Sequence, residues 1–142
     1  MKRRALLTFG LAAAIAPGAL AQDQNLPAPT PRDVGVRIGA GASGRSIEVA
    51  VESRFAVELV GIPTAGYVWR PVQMPAFLTR AGEVTGPTIA AQTQPGFVGG
   101  RHWEVLMFSA LEAGSGELVL AQIRPSAPGE AAATFRVTIV AR

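Results

Sequence analysis

Apolar residues recur at every second position through most of the chain: Ile47, Val49 and Val51; Phe55, Val57 and Leu59; Trp103, Val105 and Met107; Phe135, Val137 and Ile139. A period of two sets such side chains on one face of an extended strand, with residues such as Ser46, Glu48 and Glu52 on the other. Helical periodicity is hard to find after the first stretch of the chain, and Gly and Pro fall at intervals suited to turns. Leu118–Ile123 is a more continuous apolar run, as a central strand would be. About seven short strands in roughly 100 residues predict an all-β fold, an immunoglobulin-like antiparallel β-sandwich. Cysteine is absent, so this domain must be held by its core and not by disulfides.

The N-terminus reads differently. Lys2, Arg3 and Arg4 precede an apolar run, Ala5–Ala16, that is too short to span a bilayer comfortably. Pro17, Gly18 and the small-residue signature Ala19-Leu20-Ala21 follow. A basic region, an apolar region and an A-x-A site predict a signal peptide over residues 1–21, cut before Gln22. The expected location is therefore periplasmic or secreted. Arg3-Arg4 before Ala5-Leu6-Leu7 also loosely resembles a twin-arginine signal, which leaves the export route open. Residues 22–33, with Pro27, Pro29 and Pro31, read as an extended linker or disordered tail, and residues 34–142 as the domain.

Three of the 13 Lys and Arg residues lie in the leader, so the remaining 10 balance the 10 carboxylates. The mature chain is formally neutral. The basic-patch argument for nucleic acid or an anionic membrane surface loses its footing, and no membrane insertion of the mature chain is expected. A 142-residue chain without its leader keeps 121 residues, enough for one monomeric domain.

Catalytic chemistry is poorly supplied. Gly39-Ala40-Gly41-Ala42-Ser43-Gly44 matches G-x-G-x-x-G, but that fingerprint needs a helix after the glycines, and a strand-like alternation follows. The chain has one His, His102, with no nucleophile motif around it. A lone His makes no usual zinc site, and Glu48, Glu52 and Glu58 alternate as solvent-facing strand residues. No enzyme, cofactor or metal is expected, and function should lie in loops at one end of the sandwich.

Three loops are unusual in composition. Gly61-Ile62-Pro63-Thr64-Ala65-Gly66-Tyr67 combines a Pro that fixes φ with a Gly that permits positive φ. Pro95-Gly96-Phe97-Val98-Gly99-Gly100 is glycine-rich and precedes the Trp103 strand. Arg124-Pro125-Ser126-Ala127-Pro128-Gly129 precedes the last strand. In a seven-strand immunoglobulin order these are the B–C, D–E and F–G connections, which cluster at one end.

These segments resemble the chagasin-like inhibitors of papain-type cysteine proteases. That family carries N-P-T-T-G-Y/F closely followed by Trp, then G-x-G-G before an aromatic-bearing strand, then R-P-W before the final strand. This chain has I-P-T-A-G-Y-V-W (62–69), F-V-G-G (97–100) and R-P-S (124–126), in that order and at similar spacing. The segment F-S-A-L-E-A-G-S-G-E-L-V-L between the last two is also similar, and the resemblance runs from Ile47 to Val140. It implies a reversible inhibitor whose three loops occlude the cleft of a papain-like cysteine protease. Pro63, Thr64, Gly66, Tyr67, Gly99, Gly100, Arg124 and Pro125 match the motifs. Ile62 replaces Asn, Ala65 the second Thr, Phe97 the first Gly and Ser126 the Trp. The implied contact set is Pro63, Thr64, Ala65, Gly66, Tyr67, Phe97, Gly99, Gly100, Arg124, Pro125 and Ser126. The rival reading is a periplasmic immunoglobulin-like binding or assembly module without inhibitory activity, whose sheet edge pairs with another chain.

Overall fold

The two-residue alternation of the sequence becomes eight strands in chain order: β1 (Val36–Gly39), β2 (Ser46–Val49), β3 (Arg54–Gly61), β4 (Val68–Gln73), β5 (Leu78–Pro87), β6 (His102–Ala110), β7 (Gly114–Ile123) and β8 (Ala133–Ala141). The computed structural model describes residues 25–127 and 129–142. The predicted signal peptide and the first residues of the predicted linker lie outside these described residues. The strands form two four-stranded sheets, ordered β1-β3-β6-β5 and β2-β8-β7-β4. This is the expected sandwich, and the continuous apolar run falls on β7, an inner strand of its sheet.

Four ladders are antiparallel. The other two, β1 with β3 and β2 with β8, are parallel. The chain crosses from the first sheet to the second between β1 and β2, so β2 serves as the crossover that lets β1 and β3 run the same way. The link from β1 to β2 contains Gly39–Gly44, the stretch that matches the dinucleotide pattern. Its residues Ala40–Ala42 form a single 3₁₀ turn, followed by β2 and not by a helix.

Between the sheets lie Phe55, Val57 and Leu59 of β3, Leu106 and Phe108 of β6, Leu118 and Leu120 of β7, and Phe135, Val137 and Ile139 of β8. Phe55 and Phe108 stack with ring centroids 5.7 Å apart. Each fully buried side chain of this size contributes about 1.5–3 kcal/mol of transfer free energy. Trp103, Val105 and Met107 turn away from this core. Val105 and Met107 join Ala28, Val34 and Ala56 in a second buried cluster on the outer face of the first sheet, with Trp103 packed against it. β6 is apolar in both phases, so alternation alone did not say which phase faces inward.

The cover on that outer face comes from the segment read as a free linker. Residues 25–33 are extended but docked. Ala28 and Val34 are buried, and the Trp103 indole N–H donates to the Leu26 carbonyl at 3.0 Å. The prolines that suggested a linker hold the segment extended, and the apolar residues among and after them attach it.

The outermost strands are poor templates for further pairing. β4 loses register between Pro71 and Gln73. β5 loses it between Arg80 and Gly82, and it presents the Arg80–Glu83 ion pair at 3.0 Å. β1 and β2 are four residues each. Prolines, bulges, charges and shortness are the devices that keep edges from recruiting another chain.

Candidate functional site

Register gathers the three loops. Gly61 and Pro87 both pair with His102, which places the β3–β4 loop beside the β5–β6 loop. Val68 pairs with Ile123 and Gln122 with Ala133, which places the far leg of the β3–β4 loop beside the β7–β8 loop. All three therefore leave the same end of the sandwich.

The β3–β4 loop is closed on itself. Ile62 and Tyr67 form an antiparallel bridge. Between them Pro63–Ala65 make one 3₁₀ turn, in which Ala65 N–H donates to Ile62 O at 3.0 Å and Gly66 N–H to Pro63 O at 2.9 Å. Pro63 opens the turn with its preset φ. Gly66 ends it at φ 83°, ψ 5°, a left-handed conformation that costs a side-chain-bearing residue about 1–2 kcal/mol. Pro63, Thr64 and Ala65 are exposed, while Gly66 and Tyr67 are half-buried.

Beneath this loop lies Glu104, buried at 3% exposure and pointing inward from β6. Its Oε1 accepts the Trp69 backbone N–H at 2.9 Å, so it ties β6 of one sheet to β4 of the other. Its Oε2 has no hydrogen-bond partner. Burial pushes the carboxyl above the ordinary glutamate range. The Trp69 N–H pulls the other way, nearby Glu83 adds to the rise and Arg70 opposes it. A Cβ on Gly61 would sit 1.6 Å from Oε2, so the carboxylate occupies the space that the missing side chain leaves. The Trp69 indole N–H donates to Val60 O at 3.0 Å, linking the two legs of the loop.

The β5–β6 loop, Thr88–Arg101, is longer and is closed at its neck by one side chain. Gln92 Oε1 accepts the N–H groups of Thr88 (2.7 Å) and Ile89 (3.2 Å), and Gln92 Nε2 donates to Arg101 O at 2.6 Å. The Thr88 hydroxyl also donates to Arg101 O, at 3.1 Å. Beyond the neck, Phe97 is 44% and Val98 88% exposed. Gly99 and Gly100 both have positive φ, and the Cβ position of Gly99 faces Thr64 Oγ1 at 3.9 Å.

In the β7–β8 loop, Arg124, Pro125 and Ser126 are exposed. The Arg124 guanidinium lies 4.5 Å from the Tyr67 ring centroid, a cation–π contact that joins this loop to the first. The Arg124 side chain also passes 3.6 Å from the Cβ position of Gly66. The expected contact residues thus lie on three neighbouring loops. His102 opens β6, with its Nδ1 3.3 Å from Gly100 O.

Ile62 (37% exposed) joins Phe97 and Val98 as an apolar tip; three of the five exposed large hydrophobics among the described residues lie at this end. Glu104 and Gln92 were not singled out from the sequence. A carboxylate alone in the apolar run Trp103–Phe108 was a signal for the first. Nothing local marked the second, because its partners are four residues before it and nine after.

Two sheets of this topology with three loops at one end define an immunoglobulin-like loop-presenting domain. Residues 48–139, well over half of the chain, match the Chagasin family peptidase inhibitor I42, and the chain belongs to that family. The family is one of peptidase inhibitors, not of enzymes. Among solved structures, the cysteine protease inhibitor EhICP2 from Entamoeba histolytica is similar at a TM-score of 0.64 and 16% identity, covering 80% of this chain and 100% of that one. Amebosin is similar at a TM-score of 0.62 and 23% identity, covering 75% and 97%. PbICP-C, solved in complex with falcipain-2, is similar at a TM-score of 0.50 and 14% identity, covering 76% and 100%. No curated protein sequence matches the chain.

Proposed function

We propose that the protein is an exported, monomeric, reversible inhibitor of papain-like cysteine proteases and that its three loops occlude the active-site cleft. The observation that carries this reading is the shape of the β3–β4 loop together with its neighbours. The loop is exposed at Pro63–Ala65 and internally hydrogen-bonded. A loop already closed on itself gives up little conformational freedom on entering a cleft. Its 3₁₀ turn also presents no extended segment for hydrolysis. Ile62, Phe97 and Val98 supply apolar surface beside it, and Arg124 and Ser126 flank it on the other side. A patch of about 800 Å² per partner is ordinary for a protease–inhibitor complex. Export rests on the leader at residues 1–21, with a periplasmic or secreted destination. The interrupted outer strands argue against the rival in which a sheet edge recruits another chain.

The test is titration of the purified protein, without its leader, against papain and several related enzymes, followed by electrophoresis. Reversible inhibition with the chain intact is expected. No inhibition at micromolar protein overturns the reading, and rapid cleavage between Ile62 and Tyr67 makes the chain a substrate.

A further inference from the structure

We propose that the segment Asn25–Val34 is a strap that sets the position of the β5–β6 loop, with Leu26 as a positioning residue for inhibition. This rests on the inhibitory reading above and assigns a role to a part of the chain outside the three loops and outside the residues that match the family.

The strap runs the length of the outer face of the first sheet. At its lower end Val34 N–H donates to Pro31 O at 3.1 Å, and Asp33 pairs with Arg54 at 2.5 Å. Midway, the Thr30 hydroxyl donates to Glu58, which also receives Arg37 Nε at 2.6 Å. Ala28 and Val34 bury the apolar face formed by Ala56, Val105 and Met107. Those contacts are enough to explain a cover. They do not explain the upper end.

There the strap leaves the apolar face and engages the root of the β5–β6 loop. Asn25 bridges Ile89 in antiparallel fashion. Leu26 N–H donates to Thr88 O at 2.8 Å, and Leu26 O accepts from the Trp103 indole. Pro29 packs where a side chain on Gly86 would otherwise lie, 3.0 Å from its Cβ position. Thr88 and Ile89 are the residues whose N–H groups Gln92 binds, so the carbonyl of Thr88 is held by the strap and its N–H by the neck. Trp103 follows the other leg of the loop. Leu26 therefore touches both legs, one through Thr88 and the other through Trp103. With Pro27, Pro29 and Pro31 lacking N–H groups, the strap has few backbone donors, and it uses the one on Leu26 at the loop.

Leu26→Pro deletes that donor and leaves Ala28 and Val34 in place, while Leu26→Val keeps it. Leu26→Pro is expected to weaken inhibition of papain about tenfold and to speed amide hydrogen exchange across residues 89–100, with exchange at residues 62–67 unchanged. Leu26→Val is expected to behave as the parent. In a Phe97→Gly, Val98→Gly background, Leu26→Pro is expected to add nothing further. Unchanged exchange across 89–100 overturns the proposal. So does faster exchange with inhibition intact, or equal loss in Leu26→Pro and Leu26→Val. If Leu26→Pro does not fold, Trp103→Phe removes the indole donor while keeping a ring, and the same exchange readout decides. A parent protein that inhibits no papain-like enzyme defeats the functional reading instead, and exchange still reports on the strap.

Discussion

The β3–β4 and β5–β6 loops stand side by side at one end of the sandwich and are held in opposite ways. The first is six residues closed by its own backbone, a proline at its start and a glycine at its end. The second is more than twice as long and depends on one of its own side chains, a glutamine across its neck, and on a strap from the N-terminal segment. A short loop can store its shape in φ and ψ; a long one needs side chains and neighbouring segments to restrict it. Substitutions should therefore act on the first loop through backbone and packing beneath it, and on the second through polar contacts at its root.

The largest effect is expected from Gly61→Ala. The new methyl meets the buried Glu104 carboxyl at Oε2 and Cδ, which must shift within the packed interior, so about 3 kcal/mol of stability is expected to be lost. Thermal unfolding of Gly61→Ala, Glu104→Ala and the double variant checks this. The double variant should lose less than the sum of the singles, because the clash disappears with the carboxylate.

Gly66→Val comes next. The Cβ position meets Arg124 at ordinary contact distance, so the cost lies in forcing a β-branched residue to φ 83°. Inhibition is expected to fall at least tenfold, or about 1.4 kcal/mol, with the sandwich still folded. Inhibition constants beside melting curves measure it; equal inhibition at equal stability would remove the first loop from the interface.

Gln92→Ala should cost less, about 1 kcal/mol, since water can reach the half-buried groups it releases. Exchange should accelerate across 89–100 and not across 62–67. Loss of protection in both loops would erase the contrast between them.

The smallest effect is a slope with pH. Glu104 has its carboxyl raised from an ordinary value of 4.5, chiefly by desolvation. Folding therefore favours its neutral form. The stability tied to that form is fully present below about 4.5 and is lost as pH rises through the folded-state value. Glu104→Gln keeps a carbonyl for Trp69 N–H and cannot ionise. Its stability relative to the parent should rise from acid to neutral pH in denaturant titrations, and a parallel pair of profiles would place the charge in solvent.

How much could be read in advance follows the same division. Pro63 and Gly66 act within their own turn, so the shape of the first loop and the left-handed glycine were legible from five letters. Phe135, Val137 and Ile139 alternate with Arg136 and Thr138, and Phe55, Val57 and Leu59 are larger than Ala56 and flank Glu58, so their inward phase was legible too. β6 was not, because Trp103, Val105 and Met107 are as apolar as Leu106 and Phe108, and only the strap decides that both sets are buried. The docking of the strap was not legible, because prolines and polar residues carry no period. Gln92 acts between the two legs of its own loop and Glu104 between two strands, and the sequence does not show either pair to be adjacent.

The parallel pairing of β2 with β8 has a mechanical consequence. The two strands run the same way, so a pull on the N-terminal side of β2 and on the C-terminal side of β8 comes from opposite ends of their ladder. Tension applied at those two points loads those hydrogen bonds in shear, all at once, and cannot peel them apart one after another. Flanking bonds lengthen the resisting row, from Gly44 N–H to Arg136 O at 2.7 Å at one end to Arg142 N–H on Val49 O at 3.1 Å at the other. A strand of four residues, with its flanking bonds, is thereby set as a latch against tension applied at those two points.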